Sequence, residues 1–474
     1  MGWGKGSVRR HMDATDLAYA GAAQQARMIA AGEVTARQVV EATLDRVAAI
    51  DPQLRAFRVV FRDEALAAAD AIDVAVAAGQ AVGPMAGVPV AIKDDTDVAG
   101  EVTAWGGNAH AGPRPHDSDV VAKLREAGAI VIGKTNVPEL TVWPWTETLA
   151  YGATRNPWNR DHTPGGSSGG AGAAAAAGLC GVAQGSDGAG SIRIPAAFNG
   201  LFGLKTQRGT ISLGPDHEDA WNGLAVYGPI ARHVADAALF MDATVTSPPA
   251  TSFVAAASSP PRPLRVAVST GIPKGAIAKV GLDQLGAVET IAASLRDLGH
   301  TVEEHEIDYP VSAFNQVLIR YLRGIHDDAA RVERPRNLER RTKGMARIGG
   351  LIPASQLAKA RRAEAAMSAR VNAIFDDYDV VLTPGPTGPP FRIGELHGRG
   401  ALWSLMAAGM KVPFYGVFNA TGQPAASIPA GFDAAGLPLA VQLVGRPDDE
   451  ATLLAVGAQL EGLRRWADRR PPIG

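Results

Sequence analysis

The sequence contains very little cysteine and no long apolar run. Cys180 is the only cysteine among 474 residues, which excludes an intramolecular disulfide framework and is typical of a reducing cytoplasm. A membrane-spanning helix needs about 18 or more consecutive apolar residues, and no such run is present; nor does the apolar core of a signal peptide follow the start. We therefore expect a cytoplasmic protein without a membrane partner.

An excess of charge of one sign is also absent. The chain has 46 basic and 48 acidic residues, and its net charge is −2. No global field would then attract nucleic acid. The 10 histidines are scattered and show no spacing typical of metal ligands. We expect a monomer or homodimer with no nucleic-acid partner, no metal and no other cofactor.

Strands and helices alternate in the first half of the chain. Residues 88–92 form an apolar run that predicts a buried strand, residues 117–127 predict a helix, and the β-branched run 129–132 predicts another strand. Such alternation is typical of α/β domains with a largely parallel sheet. We therefore expect the α/β class, with a mixed, mostly parallel central sheet covered by helices on both faces.

The domain organisation can be inferred from composition. Hydrophobic residues make up 46% of the chain, which is enough to bury a large core. We expect one large domain over residues 13–474, with a more variable helical segment at about residues 245–378. Residues 1–12 are short, basic and patternless, and we expect a disordered arm or an expression remnant there.

One segment matches a nucleotide-binding pattern by its letters alone. Residues 128–135, GAIVIGKT, fit the phosphate-loop pattern G-x-x-x-x-G-K-T. That loop requires a strand before the first glycine and a helix after the lysine. Here the middle residues are themselves the predicted strand, and Pro138 would interrupt a helix after the lysine. We do not expect nucleotide binding.

Residues 163–195 contain two serine sites framed by glycine. The sites lie at 165–170 and 187–193 and flank a run of small residues. Glycine lets a substrate approach the main chain, and successive exposed N–H groups can hold the oxyanion of acyl transfer. The alternative is that the stretch has no catalytic role and is a glycine-rich connector, in a chain that contains 54 glycines.

This stretch resembles the amidase signature family, and the resemblance extends from about residue 17 to 471. No single matching segment is specific, but together they are. The segments are GVPVAIKD (87–94), GKTN (133–136), GATRNPW (152–158), FNG (198–200), KT (205–206), PF (413–414), PA (424–425) and GLP (436–438). The resemblance implies the amidase signature fold and a hydrolase that cleaves C–N bonds of carboxylic amides.

The resemblance also implies the catalytic residues. Ser191 would be the nucleophile that forms an acyl-enzyme, Ser167 the bridging serine after a cis peptide bond, and Lys93 the terminal base. The 24 positions between the two serines match the spacing of the family. The resemblance places the oxyanion hole at the backbone N–H groups of Gly188, Ala189, Gly190 and Ser191. Position 189 holds alanine where the family usually has glycine. A charged pair of Asp187 and Arg193 is expected to support this loop.

Lys93 can act as a base only in its neutral form. Lowering the pKa of a lysine from about 10.4 to about 7.5 corresponds to about 4 kcal/mol, and burial is one way to achieve it. The apolar run before Lys93 supplies such surroundings. The carboxylates of Asp94 and Asp95 would oppose the shift, so we predict that both face elsewhere.

Aromatic residues in two segments are candidates for the substrate pocket. They are Trp143, Trp145 and Tyr151, followed near the C-terminus by Trp403, Phe414, Tyr415 and Phe418. Core packing is an equally good interpretation. If the rings line the pocket, they favour an aryl amide or a carbamate (urethane) as substrate, with esters as a further candidate. In the extended segment 143–145, alternation predicts that both indoles point to the same side.

Two other functions are considered. One is an amidotransferase subunit of the same family, which acts only in a tRNA-dependent complex. The other is an α/β-hydrolase-type esterase that uses Ser168, because residues 166–170 fit G-x-S-x-G. That motif needs an apolar strand before the serine and a catalytic histidine after it, and the sequence offers neither.

Overall fold

The computed structural model describes residues 12–216 and 219–473. Apart from Met12, the arm expected at residues 1–12 lies outside the described residues. Each element is named by its position in the chain. The strands are β1 (Phe57–Val60), β2 (Pro89–Lys93), β3 (Ile130–Thr135), β4 (Glu147–Thr148), β5 (Gly152–Ala153), β6 (Val182–Asp187), β7 (Phe202–Lys205), β8 (Val226–Ala231), β9 (Arg265–Val268), β10 (Thr301–Glu304), β11 (Val380–Pro384), β12 (Ala425–Phe432) and β13 (Pro438–Gly445).

Helices fill most of the chain between these strands. They are α1 (Ala14–Tyr19), α2 (Ala22–Ala30), α3 (Ala36–Leu54), α4 (Arg62–Ala77), α5 (Asp119–Glu126), α6 (Gly169–Ala176), α7 (Arg193–Asn199), α8 (Val234–Thr244), α9 (Phe253–Ala257), α10 (Leu282–Asp297), α11 (Ala313–Arg331), α12 (Arg340–Gly350), α13 (Ala354–Arg362), α14 (Glu364–Asn372), α15 (Ala401–Lys411), α16 (Gly416–Thr421) and α17 (Glu450–Arg464). Short 3-10 helices lie at Glu139–Thr141, Trp221–Gly223, Pro335–Asn337, Ala373–Asp376 and Trp466–Asp468.

Helices pack on both faces of the central sheet, as predicted. The sheet has 11 strands in the order β1-β3-β2-β6-β8-β7-β12-β13-β11-β9-β10, and β4 and β5 form a separate pair. Successive residues of a strand point to opposite faces. In β2, Val90 and Ile92 accordingly belong to the core shared with α5, α8, α10 and α17, whereas Ala91 belongs to the core shared with α3, α4 and α6.

The balance of strand directions corrects one part of the prediction. The sheet is mixed, but among the described residues six pairings are antiparallel and four are parallel, so it is not mostly parallel. Parallel pairing needs a crossover connection, usually a helix, as α5 provides between β2 and β3. The strands β7, β8, β12 and β13 instead pair antiparallel with their neighbours.

Two further segments can be compared with the sequence predictions. The phosphate-loop match ends inside β3, because Gly133, Lys134 and Thr135 are strand residues paired with β2. The loop-then-helix geometry of a phosphate loop is therefore absent at this place in the described chain. Residues 245–378 hold the helices α9 to α14 and also the strands β9 and β10.

The short helix α6 begins directly after the first serine site and consists only of glycine and alanine. All its residues are buried. A Cβ at Gly170 would lie 2.4 Å from the carbonyl oxygen of Ala56 and 2.5 Å from the backbone nitrogen of Asn136. The small residues therefore allow the backbone of α6 to approach the backbone before β1 and after β3.

This close approach predicts the effect of one methyl group. Gly170→Ala should destabilise the protein by about 1–3 kcal/mol, because its Cβ would overlap backbone atoms. Gly286→Ala in α10 is the matched control, because outside the backbone of its own helix no atom lies within 4 Å of the position of its Cβ. Alanine there should stabilise the helix by about 0.5–1 kcal/mol. Urea unfolding of both variants measures the difference, and equal stabilities would contradict this packing.

Candidate active site

The expected catalytic residues come from neighbouring strands and from two helix starts. Lys93 ends β2 and Asp187 ends β6, and these strands pair in parallel. Because parallel strands have their carboxyl ends at the same edge, Lys93 lies beside the last residues of β6. Ser167 immediately precedes the N-cap of α6, and Ser191 immediately precedes the N-cap of α7. The fold thus brings both serine sites to the lysine.

Lys93 and Ser167 are in direct contact. Lys93 Nζ lies 2.7 Å from Ser167 Oγ, and the lysine side chain has no solvent exposure. The peptide bond between Gly166 and Ser167 is cis, as the resemblance implied. Ser186 is a further partner, with its Oγ 2.6 Å from Lys93 Nζ. The amine therefore contacts two hydroxyl groups inside the protein.

The direction of Asp95 differs from the prediction, whereas that of Asp94 agrees with it. Asp94 faces away and pairs with Arg58 at 2.7 Å and Lys134 at 3.1 Å. Asp95 faces inward, with its Oδ2 at 3.1 Å from Lys93 Nζ, and it accepts a hydrogen bond from Ser186 Oγ. The reason is a turn after β2, closed by the hydrogen bond from Thr96 N to Lys93 O at 3.1 Å. A turn does not continue the alternation of a strand.

Burial and Asp95 shift the pKa of Lys93 in opposite directions. Burial lowers the pKa of Lys93 below its usual value, because desolvation penalises the charged amine, and the Asp95 carboxylate partly offsets this effect. The net direction is downward. The site therefore favours the neutral amine more than water does, which is the requirement for a lysine that accepts a proton.

The expected charged pair supports the second serine site. Arg193 Nε donates to Asp187 Oδ2 at 2.9 Å, and both side chains are fully buried. Burial would raise the pKa of Asp187, but the Arg193 guanidinium outweighs it and holds this pKa well below the usual range. Arg193 also donates to Asn419 and Gln442, each at 2.6 Å. The pair joins the loop at 187–193 to α16 and β13.

One of the four expected oxyanion donors is already engaged. The backbone N–H of Gly190 donates to Asp187 Oδ1 at 2.6 Å, so it supports the loop and is not available to an oxyanion. Over residues 12–216 and 219–473, the N–H groups of Gly188, Ala189 and Ser191 have no protein acceptor. Ala189 has no positive φ, which is the condition we expected for alanine at this position.

The two serines that compete for the role of nucleophile differ in accessibility. Ser168 is fully buried, and its Oγ donates to the carbonyl oxygen of Ser186 at 3.2 Å. Ser191 is partly exposed and lines two cavities. A substrate can therefore reach Ser191, whereas Ser168 has no contact with either cavity.

The two cavities differ in size and chemistry. The larger has a volume of about 380 Å³ and is lined by apolar groups that include Val142, Trp143 and Val317. The smaller has a volume of about 100 Å³; Ser167 and Ser186 line it together with carboxylates. We call them the large cavity and the small cavity. The volume of the large cavity lies in the range of small-molecule sites, about 300–1,000 Å³.

Only one of the seven aromatic candidates lines either of these cavities. Trp143 lines the large cavity. Trp145 stacks on Trp143 with ring centroids 4.9 Å apart, so that both indoles lie on one side as predicted, but Trp145 packs in the core behind it. The others are placed elsewhere: Tyr151 is half-buried with its hydroxyl toward Gly107, and Phe414 and Tyr415 are buried in the core.

The remaining two aromatic residues also lie outside the cavities. Phe418 is buried in α16, and Trp403 is half-exposed on α15. The C-terminal segment does contribute to the large cavity, but through Pro413, Gly416 and Val417. Of the expected aromatic residues, Trp143 thus lines the large cavity, and the C-terminal segment reaches it through other side chains.

Two residues at the site were not singled out from the sequence. Ser186 contacts Lys93, and Trp221 lines both cavities. Ser186 directly precedes Asp187 at the end of β6, and this position next to an expected site residue is the sequence signal that could have identified it. Trp221 lies in a short 3-10 helix without a motif, and only the tertiary fold brings it to Ser191.

Neither a metal site nor a membrane-spanning helix is found in the described chain. No group of three or more His, Cys, Asp or Glu side chains within residues 12–216 and 219–473 could hold a metal ion. Over the same residues, every helix is too short or too polar to cross a membrane. Cys180 is buried, and burial raises the pKa of its thiol to about 12.

Sequence comparison identifies relatives over the whole chain. The sequence model of the family described as Amidase matches residues 38–454. A protein of Mycobacterium tuberculosis (strain ATCC 25618 / H37Rv) named "Putative amidase AmiB2" is 54% identical over 463 residues, which cover 98% of this chain and 100% of that protein. The 6-aminohexanoate-cyclic-dimer hydrolase of Paenarthrobacter ureafaciens is 35% identical, with 98% of each chain covered.

Solved structures of similar fold agree with these relatives. A 6-aminohexanoate cyclic dimer hydrolase complexed with substrate superposes with a TM-score of 0.85 and 32% identity, over 96% of this chain and 99% of that one. A bacterial aryl acylamidase of the amidase signature family has a TM-score of 0.84 and 25% identity, over 94% of this chain and 97% of the other.

The inward direction of Asp95 predicts a change in pH dependence. Turnover that requires neutral Lys93 should rise with pH as this amine loses its proton. Asp95→Asn removes a carboxylate that favours the charged amine, so the pKa of Lys93 should fall further and the rising limb should move to lower pH. Profiles of kcat/KM against pH measure this. Asp97→Asn is the control, because Asp97 pairs with Arg114. A rising limb that stays in place, or moves to higher pH, in Asp95→Asn would contradict this electrostatic role.

Proposed function

The chain belongs to the amidase signature family and hydrolyses C–N bonds of carboxylic amides, and we propose that it does so through an acyl-enzyme on Ser191. The observation that carries this mechanism is the contact between Lys93 Nζ and Ser167 Oγ at 2.7 Å, inside the protein and at the edge of the cavity that Ser191 lines. A buried neutral amine can accept the proton that a serine nucleophile must lose.

The first step is attack of Ser191 on the amide carbonyl. The proton of Ser191 passes to Ser167 while the proton of Ser167 passes to Lys93, so that the hydroxyl of Ser167 is regenerated. The carbonyl oxygen becomes an oxyanion and accepts hydrogen bonds from the backbone N–H groups of Gly188, Ala189 and Ser191. Preorganised donors of this kind are each worth a factor of about 100 to 1,000 in rate.

The second step breaks the C–N bond. Ser167 gives its proton to the leaving nitrogen and recovers one from Lys93, and a free amine departs. Water then attacks the acyl group on Ser191, with its proton taken up along the same path. The carboxylic acid leaves and Ser191 regains its hydrogen. Protons balance over the cycle, and no group besides water is consumed.

Carbamates, aryl amides and esters are the candidate substrates within this mechanism. Each contains a carbonyl carbon that Ser191 can attack, and the apolar lining of the large cavity supports an aryl or alkyl group next to it. The relatives named for a cyclic dimer hydrolase and an aryl acylamidase support this range. Urethane hydrolysis therefore belongs to the proposal.

Location and assembly are proposals of the same kind. We propose a cytoplasmic enzyme, on the basis of a single cysteine that is buried. We also propose that it acts as a monomer or homodimer without nucleic acid. The near-balance of 46 basic and 48 acidic residues supports the absence of a nucleic-acid partner.

Two adjacent serine sites allow a matched test of the nucleophile. Ser191→Ala should lower kcat for amide hydrolysis by about a thousandfold or more, because loss of the nucleophile removes the covalent route. Ser168→Ala should retain most of the activity, because its hydroxyl lies outside both cavities. Both variants should fold, as thermal unfolding can verify. An inactive Ser168→Ala together with an active Ser191→Ala would overturn the mechanism.

A further inference from the structure

Ser191 lies at the boundary between the large and the small cavity, and so does Trp221, the bulkiest side chain that the two cavities share. Ser191, Trp221 and Thr141 line both cavities. A substrate bound at Ser191 must therefore extend into one cavity with its acyl part and into the other with its amine part. The direction of binding decides which part enters which cavity.

The position of Ser167 sets this direction. In the proposed mechanism Ser167 gives a proton to the leaving nitrogen, so the nitrogen must lie next to its hydroxyl. Ser167 and its neighbour Ser186 line the small cavity and not the large one. The amine part then occupies the small cavity, and the acyl part occupies the large one.

The chemistry of the two cavities adds a difference in polarity. No charged side chain of the described residues lines the large cavity, to which α11 and α15 contribute ten residues and whose lining includes the exposed side chains of Ile277 and Leu402. The small cavity, at about 100 Å³, is lined by both apolar and polar side chains, and it includes the carboxylates of Asp95 and Asp219. An alkyl or aryl group of several carbons therefore fits the acyl side better than the amine side.

Trp221 is held firmly in its dividing position. Its indole nitrogen donates to Asp328 at 2.7 Å, and its ring meets Tyr321 edge to face at 5.1 Å between centroids. The ring also packs against two glycines: a Cβ would lie 2.7 Å from the indole at Gly188 and 3.0 Å from it at Gly324. These contacts hold the ring at the boundary of the two cavities.

We propose that this enzyme selects amides with an apolar acyl group and a small amine, and that Trp221 is the residue that enforces this direction. The inference rests on the acyl-enzyme mechanism proposed above, because the role of Ser167 supplies the orientation. Among the aryl amides proposed above, it favours those with the aryl group on the acyl side over anilides, whose aryl group lies on the nitrogen.

Two isomeric amides with opposite direction test the proposal. N-methyloctanamide carries seven carbons beyond its carbonyl and a methyl group on nitrogen, whereas N-heptylacetamide carries the same groups exchanged. We expect kcat/KM to be about tenfold or more higher for N-methyloctanamide, because its alkyl chain is buried in the large cavity. Equal values, a preference for N-heptylacetamide, or hydrolysis of neither while propionamide is hydrolysed would overturn the proposal.

Substitutions identify the cavity and the dividing residue. Gly409→Leu should lower kcat/KM for N-methyloctanamide and spare propionamide, because Gly409 lines the large cavity and the leucine side chain would take up room needed by the long alkyl group. The substitution should be tolerated, because a Cβ at Gly409 would meet only Phe314, at 3.9 Å. Gly462→Leu, at an exposed position of α17, is the control. Trp221→Ala should reduce the ratio between the two isomers, and Trp221→Phe should retain it. An unchanged ratio in Trp221→Ala would exclude this residue.

The failure of this inference can be told apart from failure of the proposed mechanism. Hydrolysis of propionamide that is lost in Ser191→Ala shows that the mechanism holds, and the isomer ratio then tests direction alone. Propionamide hydrolysis that survives in Ser191→Ala would contradict the mechanism itself, and the assignment of the cavities would fall with it.

Discussion

Lys93 lies at the end of β2 without solvent contact, and its amine touches Ser167, Ser186 and Asp95. A buried amine is costly when charged, and this cost keeps it ready to accept a proton. Asp95 limits the effect, because a nearby carboxylate favours the charged form. The rest of the site depends on this balance: the loop at 187–193 must present Ser191 to Ser167, and the cavity wall must keep water from the amine.

The surrounding fold meets these demands with small residues and one buried ion pair. Glycine and alanine in α6 let two backbone segments pack closely behind Ser167. Asp187 and Arg193 hold the second serine loop, and the N–H of Gly190 is used for the same purpose. A buried ion pair of this kind fixes the geometry of the loop more than it stabilises the fold, because the cost of desolvating the two charges offsets much of the attraction between them. The loop is therefore preorganised before a substrate arrives.

Local features of the site could be predicted from the sequence, and features that depend on tertiary contacts could not. An apolar run placed Lys93 at a strand end, and alternation placed Trp143 and Trp145 on one side. The predicted direction of Asp95 was wrong because a turn, not a strand, sets it. The prediction of a mostly parallel sheet was wrong because loops as well as helices connect the strands. Trp221 reaches Ser191 only through its packing on Gly188 and Gly324, which no local pattern encodes.

The most direct test of the mechanism is to identify the atom that carries the acyl group. The enzyme can be mixed with an activated ester such as p-nitrophenyl octanoate, quenched in acid during turnover, digested and analysed by mass spectrometry. The mechanism predicts an octanoyl group on Ser191, which accumulates in the wild type and is strongly reduced in Lys93→Met. An octanoyl group on Ser168, or acylation of Ser191 at an unchanged rate in Lys93→Met, would contradict it.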